Sequence, residues 1–560
     1  MIKKIYSATI LTLWLVVSLM LPVFVLAYTE KNPLWITISG ILLPLGFYTI
    51  FAAMSRRSGR MVWAGLVFIF FSAFQIVISY LFGNSVVATD MFLNLITTNA
   101  GEATELLSNI YPSIIIVCVI YLPMLWVASE HLRRRIELSD KLRLRMWTVG
   151  CVSLFAGSLI LWQGYREEAK NILRDEVFPI NIGYNLGLSI SEARKIANYE
   201  TSSEGFSYDA QRSTTLNQRE IYIMVIGEAS RAINWQLYGY ERATNPRLSE
   251  RSDLVLFRKI TTLSNTTHKS VPMMLSSAPA TMHNELYRRS GMPALFNEAG
   301  FTTYFISNQS PQGAMIDNLA HDANHLIYVD APRHDMQLVD SVREVLRSDP
   351  SQRILFILHT YGSHFSYHQR YPREFARFLP DDDVAIKISN RDKIINAYDN
   401  SILYTDYVLA ELITTLEKMP NVCSAIYYCA DHGEDLMDER DCRFLHSSPT
   451  VTYYQLHVAS LAWFSPLYRK IFADKVTAAV SNSDASATTH SVFHTMADLA
   501  SISSKYVERE ASLVNSQFNN EAPRHYLDDH NKAVSLDRNI GINAMQHDLF
   551  LRAGIVLGQE

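Results

Sequence analysis

Ala425-Ile426-Tyr427-Tyr428-Cys429-Ala430-Asp431-His432-Gly433-Glu434 carries a short β-rich apolar run into a carboxylate, an imidazole, a glycine and a second carboxylate. The run from Ala425 to Cys429 has the length and composition of a buried strand, and the polar residues begin where it ends. The same grammar recurs upstream. Ile221 to Ile226 leads into Gly227-Glu228, Thr303 to Ile306 into Asn308-Gln309, and Ile354 to Leu358 into His359. Helical segments separate these runs, the alternation that builds an α/β fold around a largely parallel sheet. Ligands of open α/β sheets gather beyond the carboxyl ends of the strands, so these strands aim carboxylate, imidazole and amide groups at one crevice.

Adjacent Asp431 and His432 can both reach a divalent metal, with Gly433 expected to let the backbone turn away. Glu228 supplies a further carboxylate from another strand end. Between them in the chain lies a hydroxyl-rich segment, Ser264-Asn265-Thr266-Thr267-His268-Lys269-Ser270-Val271-Pro272. A hydroxyl is a poor nucleophile at neutral pH because its proton is tightly held, and coordination to zinc lowers that cost. A tetrahedral set of Glu, Thr, Asp and His is coherent chemistry for zinc.

Ahead of this region stand five apolar stretches: Ala8 to Tyr28, Leu34 to Met54, Val62 to Phe82, Tyr111 to Ser129 and Met146 to Gln163. Each approaches the roughly 20 residues of a membrane-spanning helix, and none carries a charged side chain. Basic residues flank alternate ends: Lys3 and Lys4; Arg56, Arg57 and Arg60; then Arg133, Arg134, Arg135, Lys141, Arg143 and Arg145. The intervening loops hold only Lys31, while Asp90, Glu102 and Glu105 make one of them acidic. Basic loops stay in the cytoplasm, so an odd number of spans places everything after Gln163 outside. The first stretch is read as a span, because its apolar run is long and no small-residue cleavage site follows. From Arg166 to about 218 the chain turns polar, with helix-like pieces and a Ser/Thr-rich stretch, and is read as a connector along the membrane surface.

Of the five cysteines, Cys118 and Cys151 sit inside spans as apolar filler. Cys423, Cys429 and Cys442 fall in the oxidising compartment, where one disulfide among them is allowed and the odd number forbids complete pairing. A net charge of −5 argues against nucleic acid as a partner.

Several blocks now line up in order. Ile226-Gly227-Glu228-Ala229-Ser230-Arg231-Ala232 is followed by Leu237-Tyr238-Gly239-Tyr240-Glu241-Arg242-Ala243-Thr244-Asn245-Pro246, then by Thr267 with Ser270-Val271-Pro272. Next come His359-Thr360-Tyr361-Gly362-Ser363-His364, Tyr371-Pro372, Tyr398-Asp399-Asn400-Ser401-Ile402, Tyr404-Thr405-Asp406, Asp431-His432-Gly433-Glu434 and Leu445-His446. In this order they resemble the phosphoethanolamine transferases of the bacterial inner membrane, a branch of the alkaline phosphatase and sulfatase superfamily, over nearly the whole chain. The fold expected is an N-terminal five-helix transmembrane domain (1–165), a connector (166–218) and a C-terminal α/β alkaline phosphatase-like (sulfatase) domain (219–560).

Carried over residue by residue, the resemblance implies that Glu228, Thr267, Asp431 and His432 bind the catalytic zinc, with Thr267 as nucleophile. It implies that His364 and His446 contact the phosphoethanolamine group or a second zinc; Asn308 and Gln309, at a strand end facing the same crevice, are candidate substrate-binding residues. Asn94, Thr98 and Glu102 resemble the family's periplasmic loop and suit lipid handling; their helical spacing equally suits a short solvated helix. His490 and His494 share one helix face, where packing or a capping bond is expected. Departures stand beside these matches. Ser264 and Met273 occupy the neighbourhood where lipid A-modifying members usually place cysteines, Gln309 and Gln312 stand where a lysine often holds phosphate, and Met437 to Phe444 is slightly longer.

The expected reaction is transfer of phosphoethanolamine from phosphatidylethanolamine to a lipopolysaccharide component, lipid A or a core sugar, through a phosphoethanolamine-threonine intermediate. Phosphoglycerol transfer or ester hydrolysis would keep the same metal site. A catalytically inactive envelope sensor or scaffold is the reading from another class, and the intact Glu, Thr, Asp, His set argues against it. A transporter is disfavoured because no intramembrane charge marks a path.

Overall fold

The computed structural model describes residues 7–30, 32–82, 86–97, 100–164, 169–175, 177–214, 216–311, 314–329, 334–382, 386–439, 443–538 and 540–558, with backbone alone for 81–82, 94–97 and 100–109. Lys3, Lys4, Lys31, Arg166, Thr98, Gln312 and Cys442 lie outside the described residues, as do the side chains of Asn94 and Glu102. Two compact units emerge: Met1–Leu93 and Ala100–Ile190 with Glu439–Phe444, and Asn94–Asn99, Ser191–Asp438 and Leu445–Glu560.

The first unit is helical because its apolar runs have no other way to satisfy their backbone polar groups away from water. Helices α1 (Ala8–Thr29), α2 (Leu34–Ala53), α5 (Ala100–Arg133) and α6 (Asp140–Gly164) supply four segments long and apolar enough to cross a membrane. Helices α3 (Ser58–Ala64) and α4 (Leu66–Phe82) make a fifth if their pair, bent by 60°, counts as one span. Small residues let α2 and α6 approach closely: a Cβ on Gly46 would lie 2.7 Å from the Gly150 carbonyl oxygen, and one on Gly150 2.5 Å from Ile50 Cγ1. Farther along, α7 (Ile180–Ala197) continues the chain.

The second unit is built on a seven-stranded sheet. In chain order its strands are β1 (Arg219–Gly227), β2 (Leu254–Leu256), β3 (Thr302–Ser307), β4 (His325–Tyr328), β5 (Arg353–His359), β6 (Val422–Ala430) and β7 (Ser460–Phe464). Across the sheet the order is β2-β7-β6-β1-β5-β3-β4, with β7 antiparallel to both neighbours and β6-β1-β5-β3-β4 parallel. Every residue of β6 and all but the first of β1 are buried, which is why these strands read as unbroken apolar runs rather than alternating ones. Register fixes the consequence: Gly227 pairs with Ala430, Ile226 with His359, and Ser307 with His359, so the strand ends form one row. Helix α8 (Thr267–Met274) begins beside that row, and the long helix α9 (Arg391–Glu417) buries a face that includes Tyr398, Asp399 and Asn400.

Part of the stretch assigned to the connector packs into this unit. Tyr199 and Tyr208 are buried in its core, and Gln211–Arg212 pair with Ile502–Ser503, because two large aromatic side chains gain more from that core than from a polar surface. Cys423 and Cys429 are free, both buried, and held six residues apart along extended β6, a separation that prevents them from bonding to each other.

Asp406 of α9 caps the short helix Pro246–Ser249, accepting from the Arg247 and Leu248 backbone amides at 3.0 Å each. Burial pushes its carboxyl up to about 7. The folded chain therefore holds this proton more tightly than the unfolded chain, and stability falls as pH rises from about 4, the free carboxyl value, to about 7. Asp406→Asn should flatten the dependence of the unfolding midpoint on pH across that window. A variant curve parallel to the parent curve would refute the assignment.

Candidate metal centre

Glu228 and Asp431 are the first residues beyond β1 and β6, and the Gly227–Ala430 pairing sets them side by side. Both are almost fully buried. Asp431 is held from two directions: its Oδ1 accepts from the Ala229 amide at 3.0 Å and from its neighbour His432 at 2.7 Å. Its other oxygen, Oδ2, accepts no hydrogen bond and lies 3.3 Å from His432 Nε2. His432 Nδ1 lies 2.8 Å from the Gly433 carbonyl, which can only accept, so Nδ1 carries the proton and Nε2 presents its lone pair. Into the same space points Thr267, first residue of α8, with Oγ1 3.0 Å from His432 Nε2 and 3.4 Å from each Glu228 oxygen. The structure thus brings together all four residues that the sequence selected as ligands.

These groups fit a divalent cation. Two buried carboxylates, that of Asp431 with an unbonded oxygen, an imidazole lone pair and a hydroxyl converge within reach of one ion, and the Glu228, Asp431 and His432 donor atoms all lie within 4.8 Å of one another. A bare cluster of this kind is costly, since buried charge needs a partner. Burial also depresses the His432 imidazole, keeping Nε2 available as a ligand.

Around this centre stands a ring of supports. Gln309, selected as a substrate contact, directs its amide at Glu228 Oε2 (3.0 Å) and the Thr360 carbonyl (2.9 Å), and so steadies the carboxylate. Asn308 gives its amide to Asp335 at 2.7 Å and keeps a buried Oδ1 that accepts no hydrogen bond. His446 Nδ1 lies 3.0 Å from Glu434 Oε2, and its ring sits 4.1 Å from that of His432. Glu434 accepts from Tyr367 at 3.0 Å, and burial pushes its carboxyl up to about 8. His364 anchors its Nδ1 on the Phe365 carbonyl at 2.6 Å and lies near enough for its charge to bear on Glu434 and His446. His432, Glu434 and His446 form a second group with metal-binding geometry.

His490 and His494 are bonded to each other through their Nε2 atoms at 3.2 Å. His494 Nδ1 accepts from the Glu508 amide at 3.0 Å, which places its proton on Nε2 and makes that atom a donor rather than a ligand. His494 is fully buried and neither ring caps a helix end, so of the packing and capping roles expected for the pair the structure shows packing.

Two features escaped the sequence. Gly433 is needed for a close approach rather than for a turn: a side chain there would collide with the Tyr454 carbonyl and come within 3.0 Å of Arg231 Cβ. The hydroxyls of Thr262 and Ser270 both reach the Asp431 carbonyl, Ser270 at 2.5 Å, and join the start of α8 to the segment after β6. The only signal for them is the density of hydroxyls between Thr261 and Ser270.

The Sulfatase family model matches residues 220–502, half of the chain and the whole of this sheet and site. The chain belongs to the sulfatase family. Among sulfatase-family relatives it is 25% identical to the Kdo(2)-lipid A phosphoethanolamine 7''-transferase of Salmonella typhimurium, over 79% of this chain and 83% of that one. Its fold matches the integral membrane lipooligosaccharide phosphoethanolamine transferase A (EptA) of Neisseria meningitidis with a TM-score of 0.72 and 21% identity, covering 90% of this chain and 97% of that one. The C-terminal periplasmic domain of EptC from Escherichia coli, solved in complex with Zn, matches with a TM-score of 0.53 and 24% identity, over 58% of this chain and 94% of that domain.

Gly433→Ala should destabilise this sulfatase-family domain by about 1–3 kcal/mol, the usual cost of overpacking, because the 431–434 segment must move off the Tyr454 carbonyl. Denaturant unfolding checks it, and an unchanged midpoint would contradict the close-approach reading.

Proposed function

We propose that this chain is a zinc-dependent phosphoethanolamine transferase of the bacterial inner membrane. In this reading phosphatidylethanolamine is the donor, and a lipopolysaccharide component, lipid A or a core sugar, is the acceptor. The carrying observation is the convergence of Glu228, Thr267, Asp431 and His432 at the carboxyl edge of the sheet, with His432 Nε2 3.0 Å from the threonine oxygen and 3.3 Å from the unbonded Asp431 Oδ2. The apolar helices of residues 8–164 support a membrane-held enzyme with lipid substrates, and the lipid A activity named for the Salmonella typhimurium relative supports the acceptor class. The distribution of basic loops supports a five-span unit with the catalytic domain in the periplasm.

Glu228, Thr267, Asp431 and His432 would hold the ion. Zinc, when bound, lowers the cost of removing the hydroxyl proton and offsets charge on the phosphoryl oxygens. Thr267 supplies the nucleophile from the first position of α8, where the helix N-terminus favours negative charge on its oxygen. Its Oγ1 attacks the donor phosphorus, the bond to the diacylglycerol oxygen breaks, and diacylglycerol leaves with a proton, which gives phosphoethanolamine esterified to Thr267. An acceptor phosphate or hydroxyl oxygen then attacks the same phosphorus and frees the threonine. Asn308 Oδ1, His364 and His446 border the site and take the role of orienting the phosphoethanolamine group. Asn94, Thr98 and Glu102 take that of handling lipid.

Mass spectrometry of envelope glycolipids from cells expressing the chain should show a gain of one phosphoethanolamine on lipid A or a core sugar, and Thr267→Ala should abolish it. A gain of phosphoglycerol, or phosphate ester hydrolysis without transfer, would replace this reading with another chemistry of the same site. The same gain with Thr267→Ala would end the assignment of the nucleophile.

A further inference from the structure

Arg231 is a cation with 3% of its surface exposed, set three residues after Glu228. Two of its three guanidinium nitrogens are held by hydrogen bonds. Nε donates to Asn234 Oδ1 at 2.6 Å, while Nη1 donates to Asp438 Oδ2 at 2.6 Å and to the Glu434 backbone carbonyl at 3.0 Å. The faces are used as well, lying 5.6 Å from the Tyr398 ring centroid and 5.1 Å from that of Tyr454. Its own amide donates to Tyr398 Oη at 3.0 Å, and that hydroxyl donates to the Ala229 carbonyl at 2.7 Å. Asp438 is fixed in turn by the Leu436 amide at 2.9 Å and by Arg391 at 3.5 Å.

The segment that follows β1 carries Glu228, and the segment that follows β6 carries Asp431, His432 and Glu434. Arg231 belongs to the first and grips the second at Glu434 and Asp438, while α9 and the 453–458 turn close over it. We infer that Arg231 is a positioning residue that clamps the two ligand-bearing segments at metal-binding distance. It touches none of the proposed ligand atoms, so it acts through the backbone of the 431–438 segment. A metal site tolerates ligand displacements of only about 0.2 Å, so a residue that locks two separate loops sets affinity without contacting the ion. Only a planar fork with stacking faces makes these contacts together; a lysine ammonium keeps the charge and loses the fork.

The inference rests on the metal reading of the site, and two measurements on the full-length chain in detergent separate them. Arg231→Lys, whose retained charge keeps Asp438 paired, should lower zinc affinity by about 10- to 100-fold in chelator competition, the range for residues that support metal ligands. Amide hydrogen exchange in a peptide covering 431–438 should accelerate at least tenfold in the same variant, with or without zinc. Parent-like affinity together with parent-like exchange overturns the clamp. Accelerated exchange in a chain whose parent form binds no zinc would preserve the clamp and overturn the metal reading. Should Arg231→Lys fail to fold, Arg231→Gln with Asp438→Asn removes both buried charges. Weak zinc binding and fast exchange in that folded pair support the inference, and parent-like values would reduce Arg231 to a counter-charge and overturn it.

Discussion

The parallel pairing of β1 with β6 is the constraint on which the rest depends. Because Gly227 faces Ala430, the chain leaves two adjacent strands at the same level, and Glu228 and Asp431 arrive together in a space sealed from water. Carboxylates brought this close repel, and burial removes the solvent that would screen them. The backbone answers part of that cost by giving Asp431 Oδ1 two amide donors. It leaves Oδ2 unanswered, and the uncompensated charge is what a divalent ion would neutralise.

The segment that carries Thr267 is tied to the one that carries Asp431 and His432 by hydrogen bonds. Here the Thr262 and Ser270 hydroxyls reach the Asp431 carbonyl, and Asn265 donates to Gln455 at 2.8 Å while Gln455 donates to Asp435 at 2.8 Å. Tyr526 closes the chain by donating to Asn265 Oδ1 at 2.8 Å. Each such bond contributes about 1 kcal/mol net, so a few of them match the roughly 2–4 kcal/mol of a single disulfide. Their donors and acceptors are paired, which is the condition under which a buried polar network rigidifies a site.

Legibility in the sequence followed how local each signal is. The apolar runs of β1, β3, β5 and β6 announced the sheet, and the polar residue after each announced the site, because burial and strand ends leave marks in a few adjacent residues. The four converging side chains were therefore legible, as was the helical character of residues 8–164. The bend between α3 and α4 was not, since hydropathy sees length and composition but not the break at Gly65. Nor was the inclusion of Tyr199 and Tyr208 in the second unit's core, because an aromatic residue in a polar stretch does not say which surface it will meet. Gln309 was selected as a substrate contact from its chain position at a strand end, while only geometry shows its amide turned toward Glu228. Gly433 has the same lesson, since a glycine that turns and a glycine that admits a neighbouring carbonyl look alike in one dimension.

The two units obey opposite rules of burial. In the second, large apolar residues fill the core, and buried charges such as Glu220 and Arg231 are held by partners. In the first, Val119, Trp126, Val152, Phe155 and Trp162 on α5 and α6 are each more than half exposed, a degree of apolar exposure that water does not tolerate over contiguous helices. Such helices require a surrounding of hydrocarbon. Under the function proposed above, this division would suit a donor whose phosphorus is held at the surface of a bilayer, because enzyme and substrate would then meet by a search in two dimensions and the site would need to bind only the polar headgroup, leaving the acyl chains where they already lie.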